Sequence, residues 1–208
     1  MRYARADAEE SFMRIPFYFD YACPWAYLGS CRVEAYFQDL EIDFRPVRLA
    51  DLKEPAEGAV AGTLGPRKMQ NAKNDFRQWA ELVGAEVSPD ARGRRVSTRL
   101  LLQAALVAGD EGRFREFHYP AYRARWAEAR DVSDRQVVRE LLAGAGLDGD
   151  EALARAESDE LDARLRADTQ AAIERGVFGV PTMFVGDEMF WGNDRFELVR
   201  YHAQKAGG

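Results

Sequence analysis

The sequence predicts an α/β fold carrying a large all-helical insertion. Three observations support this: strand-like apolar runs near both ends, nearly a hundred residues of helical periodicity between them, and 47% hydrophobic content over 208 residues, enough for a full core. The insertion is expected at residues 66–160, with 12–65 and 161–208 forming the α/β part.

Residues 15–19, IPFYF, are a short apolar run closed by Asp20 and read as a buried strand. A helix is expected from Pro24 to Leu40, with Trp25, Gly29, Val33, Tyr36 and Leu40 on its apolar stripe. Residues 42–49 alternate as a second strand. Asp51 to Gly65 is rich in Gly, Ala, Pro and charge without periodicity, a long loop of the kind that shapes a site. From Pro66 the pattern turns helical: Met69, Ala72, Phe76, Trp79, Ala80 and Val83 recur at helix spacing and Gly84 closes the run. Ser97 is expected to cap the next helix, another spans 111–127, and Ser133 with Gln136 forms a capping-box pattern. Asp150 and Ser158 are expected caps of two more. Helix periodicity assigns Phe76, Trp79 and Trp126 to core packing rather than to a ligand cleft. A helix from Leu161 to Arg175 stops at Gly176. Thr182–Val185 and Glu188–Trp191 then flank a Gly186-Asp187 turn as a hairpin, and Asn193 or Asp194 is expected to cap a terminal helix. This order, β-α-β, helical block, α-β-β-α, is that of a thioredoxin-like fold with helices inserted in its middle.

A net charge of −6 excludes the basic field that a nucleic-acid or anionic-membrane partner requires. Arg92, Arg94, Arg95 and Arg99 are a local exception, read as a solvated helix approach or as a cationic rim for a small carboxylate. The first 14 residues lack an apolar core of signal-peptide length and no run approaches a membrane span, which predicts a cytoplasmic protein with reduced thiols. On one continuous helix Cys23 and Cys31 would lie about 12 Å apart, beyond the ~7 Å Cα limit for a disulfide. His118 and His202 are the only histidines and have no ligand spacing, so no metal site is predicted.

Cys23 is the residue to explain first. Pro24 suits the first helical position, which puts Cys23 at the N-cap. Unpaired N–H groups and the positive end of the helix dipole there favour a thiolate. At the other end of the chain, Pro181 in Gly179-Val180-Pro181-Thr182 stands where thioredoxin-like folds place a cis-proline before a central strand, facing the N-terminus of the first helix.

Through AAIERGVFGVPTMFVGDEMFWGNDR (171–195) and FYFDYACPWAYLG (17–29) the sequence resembles the 2-hydroxychromene-2-carboxylate isomerases, relatives of kappa-class glutathione transferases and DsbA-type oxidoreductases. KNDFRQWAELVG (73–84), RRVST (94–98) and WAEARDVSD (126–134) match more loosely. The resemblance implies glutathione as cofactor, an aromatic carboxylate as substrate, and a fold whose relatives commonly dimerise. It implies that Val180, beside Pro181, pairs its backbone with the glutathione cysteine, and that Trp191, Gly192, Asn193 and Asp194 hold the γ-glutamyl end. Lys53, or an arginine from Arg94 and Arg95, would meet the substrate carboxylate. Two departures stand out. Cys23 occupies the position where these isomerases carry serine, and Ala26 the position where oxidoreductases carry a second cysteine. In the loop, Lys68 stands near the Gly65-Pro66 step where the family has asparagine. Cys23 is therefore expected to orient the glutathione thiolate or, with a depressed pKa, to be the adding nucleophile itself. The alternative is a DsbA-like or FrnE-like thiol–disulfide oxidoreductase, or a glutathione transferase, using Cys23 as a single thiol. A protein that binds glutathione without turnover is a third reading.

Overall fold

A computed structural model describes residues 13–52, 65–91 and 95–207. Lys53, Arg92, Arg94 and most of the expected 51–65 loop lie outside these residues. The sheet is built on β1 (Arg14–Phe19), whose alternate residues Ile15, Phe17 and Phe19 are fully buried. β2 (Glu41–Pro46) pairs with it in parallel, with Phe17 opposite Phe44. β3 (Thr182–Val185) pairs antiparallel, with Phe17 opposite Met183, and β4 (Glu188–Trp191) completes the order β2-β1-β3-β4. Gly186 takes φ +58° at the hairpin turn, a conformation open to glycine at little cost.

The helices are α1 (Pro24–Ser30), α2 (Val33–Tyr36), α3 (Pro66–Leu82), α4 (Arg99–Asp110), α5 (Phe114–Trp126), α6 (Arg135–Gly144), α7 (Gly149–Ala156), α8 (Asp159–Glu174) and α9 (Phe196–Gly207). α4 is buried continuously from Leu101 to Ala108, as befits a helix enclosed on all sides. It packs on α5, α6, α7 and α8 and reaches β2, and α5 packs on α1, so the buried side chains of the sheet and the helical block form one cluster. No described helix is long and apolar enough to cross a membrane.

Several element ends differ from expectation, each for a tertiary reason. The helix predicted from Pro24 to Leu40 breaks at Cys31–Arg32. The Arg32 guanidinium there turns onto the rings of Phe196 (4.5 Å), Tyr36 (5.2 Å) and Trp79 (5.5 Å), and its φ of −127° leaves the helical region. Thr98 rather than Ser97 precedes α4, and its hydroxyl donates to buried Asp20 instead of capping. Asp134 and Asp148 cap α6 and α7 in place of Ser133 and Asp150, because their carboxylates reach the free N–H groups of the first turn. Ser158 caps α8, and Gly176, at φ +94°, follows its end. Asn193 and Asp194 precede the N-cap position of α9, where the Arg195 carbonyl accepts the first helical bond.

Candidate active site

The sequence brings Cys23 and Pro181 together by two local devices. Pro24 opens α1 directly after Cys23, which keeps an extended conformation (φ −91°, ψ 117°). The Val180–Pro181 peptide bond is cis, and Cys23 Sγ–H donates to the Val180 carbonyl at 3.0 Å. Gly29 lets the strand and the proline approach α1, since a Cβ there would stand 3.2 Å from the Phe17 ring and 3.5 Å from Pro181.

The thiol is not the thiolate that its helix-start position predicts. Burial pushes Cys23 up from 9.0 to about 12, against the lowering pull of the Ala26 and Trp25 backbone N–H groups, and nearby Asp20 pushes the same way. A seven-residue helix offers two N–H groups, whereas ionisation would strand a charge on a side chain 6% exposed. Desolvation wins. At neutral pH Cys23 is a protonated donor. Cys31 is exposed, and both cysteines are free.

Behind Cys23 lies a closed polar network. The buried Asp20 carboxylate accepts from Ala22 N–H (2.8 Å), Leu49 N–H (2.8 Å) and the Thr98 hydroxyl (2.6 Å), tying β1, the segment after β2 and the start of α4 together. Burial raises its pKa, and these three bonds with Arg48 oppose the rise. His118, fully buried, links the Tyr21 hydroxyl (3.1 Å) and Ser30 (3.2 Å), and burial lowers it to about 3, so it is neutral. Trp126 Nε1 donates to the Tyr21 carbonyl and the Tyr122 hydroxyl to the Asp20 carbonyl.

In front of Cys23 a cleft of about 250 Å³ opens. Val180, Pro181, Trp191, Gly192, Asn193 and Asp194, all singled out from the sequence, line it. Trp25, Asp75, Trp79 and Arg195 complete the lining. Trp79 therefore faces the cleft rather than the core, while Phe76 and Trp126 are buried as expected. Trp191 is 53% exposed and packs edge-on against Phe178. Gly179 makes room for it, since a Cβ there would lie 2.8 Å from its Nε1. Asn193 is 4% exposed, yet its Nδ2 has no hydrogen-bond partner. A buried donor left unmet costs free energy, so this amide is set for an acceptor brought by a ligand.

Arg95 is exposed and is not among the cleft-lining residues, and Arg99 pairs with Asp162 at 2.7 Å. Sequence reasoning missed Asp75 and Arg195. The first was hidden on the polar face of an amphipathic helix, the second just past the matched motif.

A DSBA-like thioredoxin domain model matches residues 14–204. The chain belongs to that family. It is 33% identical to the 2-hydroxychromene-2-carboxylate isomerase of Pseudomonas putida over 90% of this chain and 92% of that protein. A solved 2-hydroxychromene-2-carboxylate isomerase superposes with a TM-score of 0.77 at 29% identity, covering 93% of this chain and 96% of that one. A probable DsbA oxidoreductase from Streptomyces coelicolor has the same fold, with a TM-score of 0.77 at 24% identity over 94% and 90% of the two chains. The thioredoxin-like fold with inserted helices and the resemblance to the isomerases read from the sequence both hold.

Proposed function

We propose that the protein is a glutathione-dependent isomerase of 2-hydroxychromene-2-carboxylate or a closely similar aromatic enone carboxylate. The likeness to isomerases over nine-tenths of the chain supports the reaction class. The observation that carries the chemistry is a protonated, buried Cys23 donating to the Val180 carbonyl at the base of the cleft. The residues present fit glutathione: the unmet Asn193 amide suits a carboxylate or peptide oxygen, and the Val180 backbone borders the cleft as a strand edge for a short peptide.

When bound, glutathione supplies a thiolate able to add reversibly to a conjugated double bond, which permits rotation about that bond. Cys23 S–H, already aimed at Val180, donates to the sulfur placed beside it and holds it in the ionised form, although a thiol is a weaker donor than the hydroxyl of the related isomerases. Its high pKa keeps that hydrogen in place across the neutral range. Trp25 and Trp79 offer flat apolar surface for an aromatic ring. The same features weigh against disulfide exchange at Cys23, which requires an accessible thiolate and, for a dithiol cycle, a second cysteine where Ala26 stands.

The test is a spectrophotometric isomerisation assay with 2-hydroxychromene-2-carboxylate on wild type and Cys23→Ser, each with and without glutathione. Turnover that needs glutathione and survives the substitution supports the proposal. Turnover without glutathione that Cys23→Ser abolishes would make Cys23 the nucleophile. No turnover in any arm would remove the substrate assignment.

A further inference from the structure

Opposite charges line the cleft without meeting. Asp75 stands one helical turn before Trp79 on α3, and among the described residues its carboxylate makes no ion pair and no side-chain hydrogen bond. Arg195, from the segment that opens α9, lines the same cleft. Its carboxylate contact is the neighbouring Asp194 at 3.7 Å, longer than the ~2.7–2.9 Å of a charge-assisted hydrogen bond, so the guanidinium keeps donors to spare. No ion pair joins Arg195 to Asp75. The third group is the buried, unpartnered Asn193 Nδ2, two residues from Arg195. An unpaired acid, an under-used guanidinium and an orphaned amide donor in one cleft are complementary to a ligand with an ammonium and a carboxylate close together.

We infer that Asp75 and Arg195 read a free α-amino-acid head group, Asp75 taking the ammonium and Arg195, with the Asn193 amide, taking the α-carboxylate. The inference rests on the glutathione reading and deepens it. The γ-glutamyl residue is such a head, because its peptide link runs through the side chain and leaves both α groups free. The ammonium presents only donors and the carboxylate only acceptors, so each wall of the cleft accepts one end and rejects the other. Selectivity for γ-linked over ordinary N-terminal peptides follows, since an α-linked residue has no free α-carboxylate.

The test is calorimetric binding to the intact protein of three peptides: glutathione, glutaryl-cysteinyl-glycine, which lacks the ammonium, and 4-aminobutyryl-cysteinyl-glycine, which lacks the α-carboxylate. Wild type should bind each analogue about tenfold or more weakly than glutathione, the loss expected for one charge-assisted contact. Asp75→Asn should weaken glutathione by a similar factor and leave the glutaryl peptide unchanged. Arg195→Gln should weaken glutathione and leave the aminobutyryl peptide unchanged. A merely structural role would weaken all three peptides alike, and that result would overturn the inference while the glutathione reading stood. So would analogues binding wild type as tightly as glutathione. Wild type binding none of the peptides would overturn the inference together with the cofactor reading.

Discussion

The two sides of Cys23 are finished to different degrees. Behind the thiol, Asp20 has three donors, His118 bridges Tyr21 and Ser30, and Trp126 and Tyr122 each donate to a backbone carbonyl. In front of it, the Asn193 amide is unmet, Asp75 makes no ion pair among the described residues, and Arg195 holds Asp194 only loosely. Polar groups that serve the fold are satisfied by the fold. Those left over where a cleft opens mark what the fold does not need and a ligand can use.

The largest expected effect lies on the closed side. Asp20→Ala strands the Ala22 and Leu49 N–H groups and the Thr98 hydroxyl in the interior. At ~1–3 kcal/mol for each unmet buried donor, it should cost at least about 3 kcal/mol of stability, read from urea unfolding. Wild-type stability would have to be almost unchanged for the two sides to be equivalent.

His118 gives the next effect, through pH. Its pKa falls from 6.5 to about 3 on folding, so above 6.5 both states are neutral and its contribution is complete. Between 6.5 and 3 the unfolded chain takes a proton that the folded protein refuses, and stability declines as pH falls. Melting temperature followed from pH 7 to 4 should fall more steeply in wild type than in His118→Gln. Parallel curves would mean that the imidazole is solvated.

Cleft substitutions should reverse this pattern, sparing stability and affecting binding. Asn193→Ala removes an unpartnered amide nitrogen, so the melting temperature should move little while glutathione affinity drops about tenfold in calorimetry. A large loss of stability with unchanged affinity would place Asn193 on the structural side. Gly179→Ala should be milder. Its methyl would displace the exposed Trp191 indole from a 2.8 Å approach, costing within ~1 kcal/mol of stability and shifting tryptophan fluorescence. Unaltered emission would mean that Trp191 does not rest on Gly179.

What the sequence made legible was local. The hairpin at 182–191 follows from two apolar runs around Gly186-Asp187, and the Cys23-Pro24 helix start from the proline that follows the thiol. The cleft-facing motif from Val180 to Asp194 was legible by resemblance. What escaped depends on distant segments. The break at Arg32 answers to Trp79 and Phe196, and the cap before α4 moved because Asp20 claims the Thr98 hydroxyl. The thiol pKa went against the helix-dipole argument because burial is a property of the whole fold. Trp79 was assigned to the core because helix periodicity separates apolar from polar faces and cannot distinguish a core from a cleft.

The central claim is that Cys23 is a hydrogen-bond donor and that the working thiolate comes from elsewhere. The most direct measurement is thiolate absorbance near ~240 nm across pH in a Cys31→Ser variant, which leaves Cys23 as the one thiol, first alone and then with glutathione. The account predicts no Cys23 ionisation below about pH 10 in the free protein, in keeping with a thiol pushed up to about 12. It also predicts a thiolate signal at neutral pH that appears with glutathione and saturates at one equivalent. A thiolate band in the free protein below pH 8 would contradict it and return Cys23 to the role of nucleophile.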